Sequence, residues 1–387
     1  MKSGYPTLPP PRLTAWESTR ACNLRCRHCR AEAIPEPPPD ELSHREARGL
    51  LEELAAWPPR SMVILSGGEP LMRPDILDLA AYGQALGLRM LLSTNGTLVD
   101  AGLARAMRKS GLARVSLSLD GPDAASHDSF RGLDGAFEGL RKAAAHFLEV
   151  GLPFQINSTL TAGNLHQAEA LTDLSVKLGA AAHHIFLLVP VGRAENMERP
   201  LSAEAYEEAL RKLKERESRL PIDFKATCAP QYQRLGRETG GPQRGRGCLA
   251  GQGFAFVSSV GEVRGCGYLT LPAGNIRQAG FRSIYEHSPL FQALRDRSQY
   301  RGKCGACEYW PICGGCRARA QAAGDYLGAE PLCPYQPKGN LQKIKPEGPP
   351  DGQSQAGTPG SADPQRHPER FPGGRPALCR SGPKAEP

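Results

Sequence analysis

The sequence predicts an α/β fold on a parallel sheet, joined to a second segment organised around cysteine. Two observations carry this reading. Between residues 13 and 190, six short β-like runs alternate with helical stretches. Strands separated by a helix pair in parallel, through crossovers of right-handed sense. From residue 248 to about 335 the regular pattern gives way to closely spaced cysteines. Six strand–helix units fit a barrel, complete or incomplete, or an open doubly wound sheet. In either, function collects at the carboxyl ends of the strands.

The first strand is "LTAWES" at 13–18, and it runs straight into the cysteine-bearing stretch "TRACNLRCRHCRAEA". The helix that follows, "SHREARGLLEELAAW", opens with Ser43 and Glu46 at the spacing of a capping box. "MVILS" at 62–66 is the second strand and "PDILDLAAYGQALG" its crossover helix. "RMLLST" (89–94) and "RVSLSL" (114–119) are the third and fourth strands, separated by "AGLARAMRKSG". "GAFEGLRKAAAHFLEVG" leads to the fifth, "FQINSTL" (154–160), and "NLHQAEALTDLSVKLG" to the sixth, "HHIFLLV" (183–189). Several of these helices stop at glycine, which accepts the left-handed backbone a helix end needs. After residue 190 come a charged helix, "SAEAYEEALRKLKERESRL", and a Gly/Arg-rich loop. From residue 338 onward, 18 of 50 residues are proline or glycine and few are large and apolar, so a disordered tail is expected there.

A chain of 387 residues with 40% apolar composition can bury a large core. No apolar run is long enough for a membrane helix, and the first twelve residues lack a signal-peptide core, so a cytoplasmic protein with no membrane span is expected. The net charge of +8 suits a nucleic acid or a polyanionic small molecule equally. No concentrated basic face is visible, and no nucleic-acid partner is expected. Eleven of the twelve cysteines lie in two zones, 22–29 and 228–333, and only Cys379 falls in the tail. In a reducing compartment such grouping favours metal binding over disulfides.

Cys22, Cys26 and Cys29 supply three thiolates in one short loop. A structural zinc site takes four ligands, so three leave a metal or one iron of a cluster open to substrate. The second strand ends in "SGGEP", where Gly67 and Gly68 allow close backbone approach and Glu69, before Pro70, could accept a hydrogen bond from an ammonium group. Ser93 and Asn95 at the end of the third strand, and Ser118 and Asp120 at the end of the fourth, are small polar groups suited to ribose hydroxyls.

"CNLRCRHC" followed by "SGGEP" resembles the radical S-adenosylmethionine superfamily, over residues 13 to about 193. The resemblance implies a partial (β/α)6 TIM-like barrel. In it Cys22, Cys26 and Cys29 hold a 4Fe-4S cluster whose open iron binds S-adenosyl-L-methionine, next to Gly67, Gly68, Glu69, Pro70, Ser93, Asn95, Ser118 and Asp120. Reductive cleavage of that cofactor yields a 5′-deoxyadenosyl radical that abstracts a substrate hydrogen. The electron implies a donor such as ferredoxin or flavodoxin.

The second zone, Cys248, Cys266, Cys304-x2-Cys307-x5-Cys313-x2-Cys316 and Cys333, is similar to the C-terminal extension called SPASM, which carries auxiliary 4Fe-4S clusters. The family spacing between the third and fourth central cysteines is x3, and here "CGGC" makes it x2. With Cys228 the thiolates number eight, enough for two auxiliary clusters. The family's interleaved pattern implies Cys228, Cys248, Cys266 and Cys316 for one, and Cys304, Cys307, Cys313 and Cys333 for the other. Paired CxxC alone would equally fit zinc. The organisation expected is an arm (1–12), the radical barrel (13–220), the auxiliary-cluster domain (221–337) and the tail (338–387).

Stretches such as "LPFQINSTLT", "AAHHIFLLVPVGRA", "DFKATCAP" and "GDYLGAEPLCPYQPK" are similar to the haem b synthases of the siroheme-derived pathway. The implied substrate is iron-coproporphyrin III, of which two propionates become vinyls with loss of CO2. Arg193 is a candidate to bind a propionate, and His183 or His184 to ligate the porphyrin iron. Alternation along a strand lets only one of that pair face the barrel. A SPASM-type peptide maturase is the alternative within the superfamily, and a non-catalytic metal-binding regulator the alternative outside it.

Overall fold

The structure is a computed structural model that describes residues 8–197, 201–240 and 245–338. The tail expected to be disordered, with Cys379, and most of the N-terminal arm lie outside the described residues.

The strands are β1 (Leu13–Thr19), β2 (Met62–Gly67), β3 (Arg89–Thr94), β4 (Arg114–Ser118) and β5 (Phe154–Leu160). They continue with β6 (Ala182–Leu187), β7 (Asp223–Thr227), β8 (Phe254–Val257), β9 (Glu262–Arg264) and β10 (Pro272–Asn275). All ten join one sheet in the order β10-β9-β8-β1-β2-β3-β4-β5-β6-β7. β1 to β7 are parallel neighbours and β8 pairs parallel with β1, whereas β9 and β10 add antiparallel. The first six strands fall where the alternation puts them. β7, from "DFKAT", was not foreseen, and it places a seventh parallel strand beyond the expected six.

Helix starts follow the local chemistry. Ser43 caps the helix His44–Ala55 as a capping box, its side chain accepting from Glu46 N and its own N–H donating to Glu46 Oε2 at 2.8 Å. That helix buries Ala47, Leu50, Leu51 and Leu54, one stripe of a 3.6-residue period. Its stripe, and those of the other crossover helices, pack on Trp16, Val63, Leu65, Leu92, Val115, Leu117, Ile156 and Ile185 of the sheet. The core therefore sits between the sheet and its helices.

The opposite face of the sheet is different in kind. A parallel strand buried on both faces is apolar throughout. Here the residues between the core positions form polar rungs. Ser93, Ser116, Gln155, Ala182 and Asp223 are in register, and so are Ser118, Asn157, His184 and Lys225. In the second rung all four are at least partly exposed. This face is lined for a polar ligand and is not packed as core.

Candidate active site

The cysteine loop leaves the carboxyl end of β1 and is closed at its base, where Cys22 N donates to Ile34 O (2.8 Å) and Ile34 N to Arg20 O (3.0 Å). Within it, Leu24 N donates to Cys22 Sγ and Ala33 N to Cys29 Sγ, both at 3.4 Å. Arg131 Nη1 reaches Cys26 Sγ at 3.6 Å. Burial pushes the Cys22 thiol up to about 12. Thiolates there need a compensating cation, and the N–H donors and guanidinium are placed to accept sulfur as thiolate. The donor set fits an iron–sulfur cluster held by three ligands.

Two other strand ends hold the loop. Gly68 N donates to Thr19 O and Glu69 N to Ala21 O, each at 2.7 Å. A Cβ on Gly67 would lie 2.3 Å from Thr19 O, and one on Gly68 2.3 Å from Ala21 O. The close approach that these glycines permit is thus to the cysteine loop itself. From the end of β6, Arg193 N donates to Cys29 O (3.1 Å), its Nε to Cys26 O (3.0 Å) and its Nη1 to Ala33 O (3.2 Å). Arg193 was expected to face a propionate. Its guanidinium instead clamps the backbone of the cysteine loop, a partner that no local sequence pattern reveals.

Glu69 is fully buried. Its carboxylate accepts from Leu71 N (3.1 Å), Thr94 Oγ1 (2.8 Å) and Asn95 N (2.8 Å). Burial pushes the group up to about 7 in spite of these bonds. A carboxylate offers about four lone-pair sites, so one remains for a further donor. Pro70 opens the 3-10 turn Pro70–Met72 that Glu69 caps. Asn95 reaches the cysteine loop through Asn23, Nδ2 to Oδ1 at 2.9 Å. Ser93 and Ser118 are half-buried on the polar face. Asp120 stands apart from a ribose-facing role. Its side chain is buried and pairs with Arg131 Nη2 at 2.6 Å, while Oδ1 accepts from Thr159 N. Burial alone would raise its carboxyl, but the Arg131 guanidinium, His28, the Thr159 N–H and His127 together hold it below the usual range. Arg131, at the end of the helix Ala124–Arg131, went unnoticed in the sequence, where nothing marks it as buried beside a cysteine.

The two histidines split as alternation requires. His183 is fully buried on the helix side, with both ring nitrogens engaged, Nδ1 by Thr172 Oγ1 (3.1 Å) and Nε2 by Ser158 Oγ (2.9 Å). It is therefore a core histidine, on the face of the sheet opposite the ligand side and with no nitrogen free for iron. His184 stands on the polar face, its Nδ1 3.1 Å from Gln155 Nε2. Burial, then Lys225 and Arg114, push its imidazole down to about 4. It is neutral at pH 7.

The remaining cysteines gather in two sets. Cys248, Cys266 and Cys316 are close enough to Cys228 to raise its thiol further, above what burial does. Cys304, Cys307, Cys313 and Cys333 line one cavity, together with Gly314, Gly315, Arg234 and Glu330. These are the two quartets the interleaved pattern implies. Among the described residues no three His, Cys, Asp or Glu side chains converge on a single-ion position. The short x2 spacing works because Gly314 and Gly315 are both left-handed, at φ 76° and 60°. That reversal turns Cys313 into one set and Cys316 into the other. Glu330 ties the sets together: its N–H donates to Cys304 Sγ (3.3 Å) and its Oε2 accepts from Cys316 N (2.7 Å). Two buried arginines sit beside them, Arg317 donating to Cys304 Sγ (3.5 Å) and Arg319 to Glu330 (2.9 Å) and Cys228 O (2.6 Å).

A sheet of eight parallel strands with an antiparallel pair at one edge, a three-thiol loop beyond its first strand and eight further thiols in two sets fit a protein that holds iron–sulfur clusters. The chain belongs to the radical S-adenosylmethionine superfamily, in the branch with a SPASM extension. The Radical SAM superfamily model matches residues 16–175, and the SPASM iron-sulfur cluster-binding domain matches 248–316. Such domains bind a 4Fe-4S cluster with S-adenosylmethionine, and auxiliary iron–sulfur clusters, respectively. An AdoMet-dependent heme synthase of Nitratidesulfovibrio vulgaris is 44% identical, over 87% of this chain and 95% of its own length. One from Methanosarcina barkeri is 45% identical over 84% of this chain and 97% of its own. Among solved structures, Streptococcus suis SuiB bound to S-adenosylmethionine superposes with a TM-score of 0.68 at 18% identity. That match covers 84% of this chain and 77% of SuiB, and it shows the shared fold.

Proposed function

We propose that this enzyme converts iron-coproporphyrin III to haem b. The heme synthase name shared by the two relatives at 44% and 45% identity carries the reading. The polar face beneath the cysteine loop supports it. The peptide-maturase alternative has less support, because neither of those relatives carries such a name. Cys22, Cys26 and Cys29 would hold the radical-generating cluster. Cys228, Cys248, Cys266 and Cys316 would hold one auxiliary cluster, and Cys304, Cys307, Cys313 and Cys333 the second.

When bound, the clusters and S-adenosylmethionine supply hydrogen abstraction and one-electron transfer. For each propionate the balance is loss of one hydrogen atom, CO2 and one electron, leaving a vinyl. The chain's own residues do the rest. Glu69 takes the cofactor's ammonium on its remaining lone pair, while Ser93, Asn95 and Ser118 line the way to it. Arg193 and Arg131 fix the cysteine loop. His184 is the histidine of the pair on the ligand side of the sheet; with Nδ1 accepting from Gln155 Nε2 its proton sits on Nε2, so ligating the porphyrin iron would require the other tautomer and release of that amide. Residues 13–220 would serve radical formation and 221–337 electron acceptance, in the cytoplasm, with a ferredoxin- or flavodoxin-type donor. Anaerobic turnover with iron-coproporphyrin III, S-adenosylmethionine and a reductant tests this. Mass analysis should show loss of CO2 and two hydrogens at each of two positions, and an unchanged porphyrin would refute it.

A further inference from the structure

The polar face of the sheet carries cations that radical formation does not use, Lys225 and Arg114 among them. Lys225 is in the rung Ser118–Asn157–His184–Lys225. Arg114 opens β4 on the same face, two residues before Ser116. Among the described residues neither has an ion-pair partner. Both lie close enough to His184 to act on its imidazole, and Arg12 lies close to Lys225. Asp223, one rung below Lys225, and the Cys228 thiol beyond the end of β7 are the acidic groups that oppose them. This half of the face is therefore electropositive, and its cations are free to take an anion.

Their position along the strands is informative. The cysteine loop, Glu69 and Arg193 all follow the carboxyl ends of parallel strands. Arg114 is the first residue of its strand, and Lys225 stands in the rung of Ser118, the last residue of β4, so both lie on the strand wall before the loops that carry the cysteines. Iron-coproporphyrin III has four propionates. The two that become vinyls sit on adjacent pyrroles along one edge, and the two that persist sit along the opposite edge. The reacting edge must face the cysteine end, which points the persisting pair at these cations.

We propose that Arg114 and Lys225 hold the two propionates that are not decarboxylated, and so fix which edge of the iron porphyrin faces the radical. The guanidinium offers one carboxylate a two-pronged contact, and the ammonium offers the other a point charge. The proposal rests on the function proposed above.

The test uses anaerobically reconstituted holoenzyme and its Arg114→Gln and Lys225→Gln variants, with iron content and circular dichroism reporting that each is folded. Each is titrated with iron-coproporphyrin III and, separately, with haem b, which carries only the persisting pair. Losing one charged contact should weaken binding roughly ten- to hundredfold, and by the same factor for both porphyrins. The charge-conserving Lys225→Arg should restore most of the affinity. Unchanged affinity for haem b would overturn the proposal, and a loss confined to iron-coproporphyrin III would assign the cations to the reacting pair instead. A wild-type enzyme that binds neither porphyrin would overturn the assigned function itself.

Discussion

Replacing Gly315 with alanine should empty the Cys304 quartet while leaving the fold in place. Gly315 has φ 60°, and a Cβ there would lie 2.3 Å from Arg317 Nη2 and 3.0 Å from Cys304 Sγ. The left-handed backbone alone costs about 1–2 kcal/mol for a residue with a side chain. The clash adds more, because Arg317 is 1% exposed and cannot swing into solvent. Its Nη1 donates to Tyr326 O (3.1 Å) and Gly328 O (2.8 Å). Displacing it forfeits a charged hydrogen bond, worth about 1.5–3 kcal/mol. The total is roughly 3–5 kcal/mol, concentrated on one thiol set. Gly240→Ala is the matched control, with φ 72° and nothing within 4 Å of the added carbon. Thermal unfolding and iron per chain after anaerobic reconstitution should separate the two. Gly315→Ala should lose roughly four irons and far more stability, since each such cluster is held by four cysteines. Equal melting and equal iron in both variants would show that the glycine pair is not what parts Cys313 from Cys316.

Glu69 must be ionised to take an ammonium, and its carboxyl stands at about 7. Affinity for S-adenosylmethionine should therefore climb with pH up to about 7 and then level off. Glu69→Gln should flatten that profile and weaken binding roughly ten- to hundredfold; equilibrium dialysis across pH decides it. His183 is held down at about 3 from an ordinary 6.5, chiefly by burial. The unfolded chain then binds the extra proton, so wild-type stability should fall as pH drops from 6.5. His183→Gln should lose less between pH 7 and 5, and identical urea midpoint shifts would contradict this. Glu46→Ala removes the capping box and the ion pair from Arg277 Nε (2.6 Å). It should cost about 1 kcal/mol at pH 7, read as a shift in denaturant midpoint without change in slope.

Residues whose role is local were readable in advance. Ser43 and Glu46 cap a helix through groups three positions apart, and β3 and β5 begin and end where their apolar runs do. β7 escaped notice because "DFKAT" puts charges at alternate positions and trails a helix rich in the same charges. β8, β9 and β10 are four residues or fewer, too short for a period to register. The partners of Arg193 and Asp120 are hidden from the sequence for another reason. A loop arginine has the same sequence context whether it grips a ligand or a backbone carbonyl, and only the fold brought Cys26 O and Ala33 O to Arg193. The division of eight thiols into two quartets was readable only by likeness to a family. The geometry adds its cause, two consecutive left-handed glycines in "CGGC".

An open sheet ends in two raw strands, each a template on which a neighbouring molecule could stack. In this chain both termini of the sheet are spoiled for that purpose. β10 begins with Pro272, which has no N–H to offer, and its pairing with β9 slips between Pro272 and Gly274. At the other end, β7 sets Asp223 and Lys225 at alternate positions, and an incoming strand would have to bury both. The lysine that faces the ligand side of the sheet thus also discourages self-assembly. Exchanging it for a β-branched apolar residue would make the molecule stickier at that border as well as weaker toward anions.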